Sequence, residues 1–560
     1  MNWQKAPFPV PDISQDVQNG QRVQEAIRQG NNEAETPGAP PVEHDRLFKN
    51  LSPFWHDRLV EGTLILSMLL YYIVGNTNLG SGYIFRLNPL ISLPFLLIFG
   101  VLCWYRLNFA LALLPLALPY YLLQKTVYSH YAFSIAEIAL AVCVVVFLLQ
   151  LVFLHDRWPL TSLWRDLRDH LGPFALPILV FFLAAAFSIV IAYDRHVALR
   201  AFREEVFDPL LYLSLALVCL RTRRDVARLL LALLATAFVV ALIGFAQYFV
   251  LRDLFSNLPA LDLSNRVHAM YGSANSIGLL FDYTLPIGFA LMLTKIRKNV
   301  ILESWWFRGI LLLAYVPLLF VLYQSQSRGA WLAIAAALLF VVALSIPNRR
   351  VLLVGGLVFI VVVAVIAIVF HSRVINFIVD EHTSATGVST LTKRLYLWQV
   401  ALNMIHNSPW FGYGMENWLC HYSLNTVCHT PNLYHYWGSV PGAYEALHDE
   451  PDLSHPHNIF LQVWVSMGIF GLLAFIGVIV LFCWLFVRML TSLRTAKVRG
   501  WMTLRWMTLG VGAALLASLL QGQVDSSFLE QDLAFCFWML VAALLLLRVL
   551  SGTPWRVHKA

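Results

Sequence analysis

His457-Asn458 is followed, after nine residues, by Gly468-Ile469-Phe470-Gly471, at the point where a long polar stretch gives way to an apolar run. An imidazole near its ordinary pKa of about 6.5 can accept a proton from an incoming hydroxyl at neutral pH, so His457 is the candidate general base. Asn458 is placed to orient that base or its substrate, and Pro456 holds the residue before it extended. The two glycines allow close packing of whatever helix carries them. A histidine at a helix start is also an ordinary cap or surface residue, and these residues alone leave both readings open.

The elements that must position this pair are membrane helices. With 59% hydrophobic residues, 13% charged residues and a mean hydropathy of +0.67, a chain of 560 residues has more apolar surface than one water-soluble core can hide. Apolar runs long enough to cross a hydrocarbon core recur from Leu59 onward, roughly fourteen in all. They lie near 59–74, 88–105, 107–124, 134–154, 172–193, 205–220, 228–251, 277–296, 308–326, 329–346, 351–370, 458–487, 506–521 and 534–550. The runs are unbroken rather than alternating, which excludes a transmembrane barrel. The expected fold is all-α, a polytopic transmembrane helical bundle with one large external loop.

Lys and Arg accumulate in cytoplasmic loops. Clusters such as Arg157/Arg165/Arg168, Arg221/Arg223/Arg224, Lys295/Arg297/Lys298 and Arg494/Lys497/Arg499 fall on one side of the membrane if the N-terminus is cytoplasmic. Both termini are then cytoplasmic and the stretch from His371 to Pro456 is external. The net charge of +7 is dispersed among these loops and forms no continuous basic face, which argues against nucleic-acid binding. The expected organisation is a disordered cytosolic tail over 1–50, poor in apolar residues; N-terminal helices over 51–170; a core bundle over 171–370; the external loop over 371–456; and C-terminal helices over 457–560.

Arginines on the external side are informative because topology does not require them there. They are Arg195, Arg200, Arg203, Arg266, Arg328 and Arg394. Arg328, in Ser327-Arg328-Gly329, interrupts an apolar hairpin at the bilayer edge, where a guanidinium is costly unless it meets an anion or snorkels outward. Several such groups around one vestibule suit a diphosphate, whose oxygens accept paired guanidinium hydrogen bonds. External carboxylates, among them Glu445 and Asp452, read chiefly as a solvated loop face, with those two placed to assist His457. Cys420 and Cys428 lie in the external loop and are open to a disulfide or to two free thiols. Cys103, Cys143, Cys219, Cys483 and Cys536 read as small core residues. His421, His429 and His435 lie near the loop cysteines, but their spacing matches no usual structural zinc pattern, so no metal is expected. The loop aromatics Trp418, Tyr422, Tyr434, Tyr436, Trp437 and Tyr444 are suited equally to stacking on sugar rings and to anchoring the loop at the interface.

In order along the chain, Arg266 precedes a Gly272…Asn275 element, then come Ser327-Arg328-Gly329, Arg394-x3-Trp398, Pro409-Trp-Phe-Gly-Tyr-Gly414-Met-Glu-Asn417 and His457-Asn458-x9-Gly468-x2-Gly471. This ordered set resembles the bacterial O-antigen ligase and O-antigen polymerase superfamily over roughly residues 190–545. The resemblance implies a glycosyltransferase of the inner membrane using an undecaprenyl-diphosphate-linked glycan as donor. Arg266 and Arg328 would hold the donor diphosphate and His457 would activate or position the acceptor hydroxyl. Asn458, Arg203, Arg394, Glu445 and Asp452 would be supporting residues. The transfer would invert the anomeric centre without a metal or other cofactor. Acceptors compatible with it are lipid A core, a growing lipid-linked glycan (a polymerase) or a protein hydroxyl (an O-oligosaccharyltransferase). A lipid-linked oligosaccharide transporter is the reading from another class; it predicts ionisable residues at mid-membrane, for which Glu137 and Asp282 are the candidates.

Overall fold

The computed structural model describes residues 53–128, 131–154, 159–250, 266–294, 304–346, 388–422, 435–447, 453–495 and 501–555, with isolated positions between 350 and 369. Residues 1–50, Cys428, Asp452 and most of the run expected at 351–370 lie outside the described residues. Among the described residues the chain is helical apart from one short hairpin, β1 (Lys125–Tyr128) antiparallel to β2 (Tyr131–Phe133). Nine helices among those residues are long and apolar enough to cross a membrane. The outward faces of such helices carry large apolar side chains, Val152 and Leu313 being 71% and 73% exposed. A solvent that accepts such side chains is lipid, and the chain is a polytopic all-α membrane protein.

The runs expected at 88–105 and 107–124 appear as α2 (Leu93–Leu113) and a 3-10 continuation (Leu114–Tyr120), following α1 (Pro53–Ile73). Arg106 leaves helical geometry inside α2, with φ −140° and ψ 58°. The chain turns back there. Asn108 donates to Asp225, whereas the two far ends meet each other: Lys125 Nζ donates to Ser92 Oγ at 2.8 Å and Tyr72 donates to the Leu123 carbonyl at 2.6 Å. A polar residue between two apolar runs thus marks the reversal.

The centre of the bundle is α17 (Gln531–Ser551), buried along nearly its whole length. Around it stand α7 (Asp208–Cys219), α8 (Arg223–Phe249), α9 (Ala274–Met292) and α16 (Trp501–Gln521). Between α2 and α7 the chain forms α3 (Ile135–Phe153), α4 (Leu160–Leu171), α5 (Ala175–Ile191) and α6 (Arg195–Ala201). Helix α9 also packs on α11 (Arg328–Ser345), which follows α10 (Trp305–Gln324). Close approach there requires Gly278, where a Cβ would lie 2.6 Å from that of Ala330.

The segment that follows α11 has its own small core. Helix α12 (Thr390–Asn407) and the short helices α13 (Trp418–Tyr422) and α14 (Ala443–Leu447) bury Leu397, Val400, Met404, Trp418, Tyr422 and Trp437. Trp418 stacks on Tyr422 and Tyr422 on Trp437, with centroids 5.1 and 5.6 Å apart. These rings are buried against one another. Tyr444, 56% exposed, keeps an outward face, and Tyr434 lies outside the described residues.

Helix α15 (Ile459–Thr495) is broken at Gly468, with φ 70° and ψ −170°. The segment 409–414 docks into the break: Ile469 N–H donates to the Pro409 carbonyl (3.0 Å), Tyr413 N–H to Val465 (2.7 Å) and Gly414 N–H to Ser466 (3.1 Å). A Cβ on Gly468 would overlap the Trp410 carbonyl. The glycine of the motif therefore exchanges helical hydrogen bonds for loop ones, and so fixes the loop against the start of α15.

Candidate active site

His457 lies in the loop preceding α15. Its φ is +51°, a left-handed conformation that a non-glycine residue holds only when its surroundings impose it. Those surroundings are identifiable. Asn458 caps α15, its Oδ1 accepting from the N–H groups of Phe460 (3.0 Å) and Leu461 (3.1 Å). Its Nδ2 donates to the Gln523 carbonyl at 3.1 Å, and the Ile459 N–H donates to that of Gly522 at 2.7 Å. From the other side, the Trp398 indole N–H donates to the His457 carbonyl at 3.3 Å. Asn458, expected to orient base or substrate, caps the helix directly after His457 and ties it to the turn over 522–530.

That turn supplies a partner the sequence reading missed. His457 Nδ1 and Asp525 Oδ1 are 2.9 Å apart, with the carboxylate side chain only 5% exposed. Burial alone would raise the Asp525 pKa, but the charge and hydrogen bond of His457, followed by Arg394 and His455, hold it well below the usual carboxylate range. His457 is pulled below its ordinary value chiefly by burial, against the attraction of Asp525 and together with repulsion from His455 and Arg394. At neutral pH the pair is an ionised carboxylate and a neutral imidazole. Nδ1–H donates to Asp525, so the lone pair sits on Nε2 and the side chain, 16% exposed, can present it outward. Donor atoms of His455, His457 and Asp525 lie within 4.8 Å of one another, close enough for an ion to bridge. The His457–Asp525 hydrogen bond already joins two of those groups, which is the arrangement of an oriented base.

The two expected anion-binding arginines lie on segments tied to the 522–530 turn through a short chain of contacts. Arg266 donates from Nε to the Ser325 carbonyl at 2.9 Å and from Nη2 to Asn275 at 2.7 Å. Ser325 Oγ accepts from the N–H of Ser327 at 3.4 Å, and Ser327 accepts from Gln521 at 3.4 Å. Arg328 opens α11, and a Cβ on its neighbour Gly329 would stand 3.3 Å from Val524, the residue before Asp525. Arg394, on α12 one turn before Trp398, acts electrostatically on both His457 and Asp525. The segments that carry Arg266 and Arg328 thus pack against the 522–530 turn that holds Asp525, and Arg394 acts on the His457–Asp525 pair from α12.

The remaining expected residues lie elsewhere. Arg203 sits in a π-helical stretch (Phe202–Phe207), paired with Glu137 at 2.9 Å and Glu204 at 2.6 Å, so its charge is already matched by carboxylates. Glu445 is exposed on α14. Cys420 is disulfide-bonded, which removes it as a thiolate ligand; its expected partner Cys428 lies outside the described residues. Cys103, Cys143, Cys219 and Cys536 are buried as expected, but Cys483 faces outward from α15. Of the residues missed, Asp525 and Glu530 carried one signal: two carboxylates in a nine-residue turn between apolar spans, on the face expected to hold His457.

The segment from α10 through the first half of α15 contains Arg328, Arg394 and His457 and the loop that docks at Gly468. Residues 313–476 match the family model described as O-antigen ligase. The expected resemblance to the O-antigen ligase superfamily is thus borne out, and it marks a membrane enzyme that processes glycans, of the ligase or polymerase kind. No curated protein matches the chain. Arg266 precedes the ligase-like segment and Asp525 follows it, so the site is completed by residues outside the matched region.

Proposed function

We propose that this protein transfers a glycan from a polyprenyl diphosphate, undecaprenyl diphosphate in bacteria, to an acceptor hydroxyl at the outer face of the inner membrane, with both chain termini cytoplasmic. The observation that carries this reading is the His457–Asp525 hydrogen bond on the very turn that packs against Ser327-Arg328-Gly329. The acceptor O–H bond breaks as its proton passes to His457 Nε2. The oxygen attacks the anomeric carbon, and the carbon–oxygen bond to phosphate breaks with its electron pair going to the diphosphate. Backside attack inverts the centre. Asp525 stabilises the imidazolium that forms, while Arg328 and Arg266 meet the charge that builds on the leaving diphosphate at a low-dielectric interface. Fixed guanidinium groups do there what a divalent ion does in other phosphate-leaving reactions.

Lipid A core, a lipid-linked repeat and a protein hydroxyl are all acceptors for this chemistry. The test is direct: supply the purified protein with a synthetic polyprenyl-diphosphate glycan and each acceptor class in turn, and determine the anomeric configuration of the product. An inverted linkage to one class supports the proposal; retention of configuration, or donor movement across a vesicle membrane without transfer, ends it.

A further inference from the structure

His455 is the nearest titratable neighbour of the base, and the mechanism above does not use it. Its ring meets that of His457 at 77° with centroids 4.6 Å apart. On its far side, Nε2 stands 3.7 Å from Glu530 Oε1, and the other carboxylate oxygen of Glu530 accepts from the Tyr121 hydroxyl at 3.3 Å. His455 is 8% exposed. Only Pro456 separates the two histidines, and the left-handed turn at His457 lets both rings meet.

Two imidazoles in contact do not both carry a proton easily, since each charge opposes the other. We propose that His455, ion-paired to Glu530, is a positioning residue that takes the single positive charge of this pair and so keeps His457 an unprotonated base. The inference rests on the proposed role of His457 as base. The groups facing His455 are Glu530 and Asp525 from the 522–530 turn, Glu416 from the docked loop, and His457. Burial opposes the charged form of His455, but the charge of Glu530 at 3.7 Å, then Asp525 and Glu416, outweigh it and raise its pKa. Glu416 is itself pushed up to about 7, first by burial, against the pull of His455 and with Glu530 adding to the rise. Facing His457 are Asp525, His455 and Arg394. When His457 takes the acceptor proton, repulsion from His455 favours its release to water or to the departing diphosphate, which restores the base.

Removing a carboxylate ordinarily lowers the pKa of a nearby histidine. Glu530→Gln should instead raise that of His457, because His455 loses the partner that keeps it charged. The test follows carbethoxylation of His457 by diethyl pyrocarbonate, which attacks neutral imidazole, against pH in the full-length protein in nanodiscs, resolved by site with peptide mass spectrometry. Glu530→Gln and His455→Gln should each move the His457 midpoint up by about two to three pH units, the order produced by one charge at contact distance at an effective dielectric near 20. The acid limb of transfer should move the same way. A midpoint that falls or stays in Glu530→Gln overturns the proposal, and that variant, isosteric at Tyr121, decides it even if His455→Gln fails to fold. Because the chemical titration needs no turnover, absence of transfer by the wild type would count against the base role while still reporting on His455.

Discussion

Asp525→Asn isolates the charge of the carboxylate from its shape. The amide oxygen can still accept from His457 Nδ1–H, and from the Ser526 N–H that Asp525 Oδ1 accepts at 2.9 Å, so local geometry is retained. What is lost is the negative charge facing an imidazolium as it forms, at a carboxylate with 5% exposure that water screens little. A hydrogen bond to a charged group contributes about 1.5–3 kcal/mol. At about 1.4 kcal/mol per decade, the substitution should lower plateau kcat by about 10- to 150-fold. The pH profile should move as well. Neutral His457 is the active form, so activity falls as pH drops through its pKa. Asp525 is the group that raises that pKa, while burial, His455 and Arg394 lower it; without its charge the acid limb should shift to lower pH. The assay is steady-state transfer from a lipid-diphosphate glycan between pH 4.5 and 8, with thermal unfolding in the same detergent to show that the fold persists. A plateau kept within about two-fold, with an unmoved acid limb, would refute the oriented-base reasoning.

Gly468→Ala should abolish stable expression, because a left-handed φ and a Cβ overlapping the Trp410 carbonyl add strain of several kcal/mol, about 1–2 of it from the backbone alone; a melting temperature equal to wild type would refute the docking role. Trp437→Ala removes the end of the Trp418–Tyr422–Trp437 stack and should cost the small core between α11 and α15 about 3–5 kcal/mol, read as protease cleavage between 388 and 447 while the membrane helices survive. If those rings served sugar binding instead, the same change would leave proteolysis unaltered and raise the acceptor KM.

The membrane helices were legible because a run of about 20 apolar residues has few other fates. So was the ordered set of Arg266, Arg328, Arg394 and His457, since charge at a bilayer edge is costly without a reason. Even the reversal at Arg106 was written as a polar break between two runs. Asp525 was not legible: it lies 68 residues from His457, and a single carboxylate in a short loop has the composition of any solvated turn. Its role appears only when Ile459 and Asn458 bind the carbonyls of Gly522 and Gln523 and bring the turn beneath the imidazole. The aromatic loop was ambiguous for a related reason, because rings that stack on each other and rings that stack on a ligand have the same spacing in sequence. Arg203 is paired with Glu137, 66 residues away, and with the adjacent Glu204, the first a contact that only the fold makes.

The most direct measurement separates donor binding from transfer in one preparation. Equilibrium affinity for a fluorescent polyprenyl-diphosphate glycan and single-turnover transfer are measured together for wild type, His457→Ala and Arg328→Ala. Loss of transfer with donor affinity nearly unchanged is expected for His457→Ala, and donor affinity weakened about 10-fold or more for Arg328→Ala. Transfer that survives His457→Ala, or donor affinity untouched by Arg328→Ala, would contradict the convergence of base and guanidinium on one lipid-borne diphosphate.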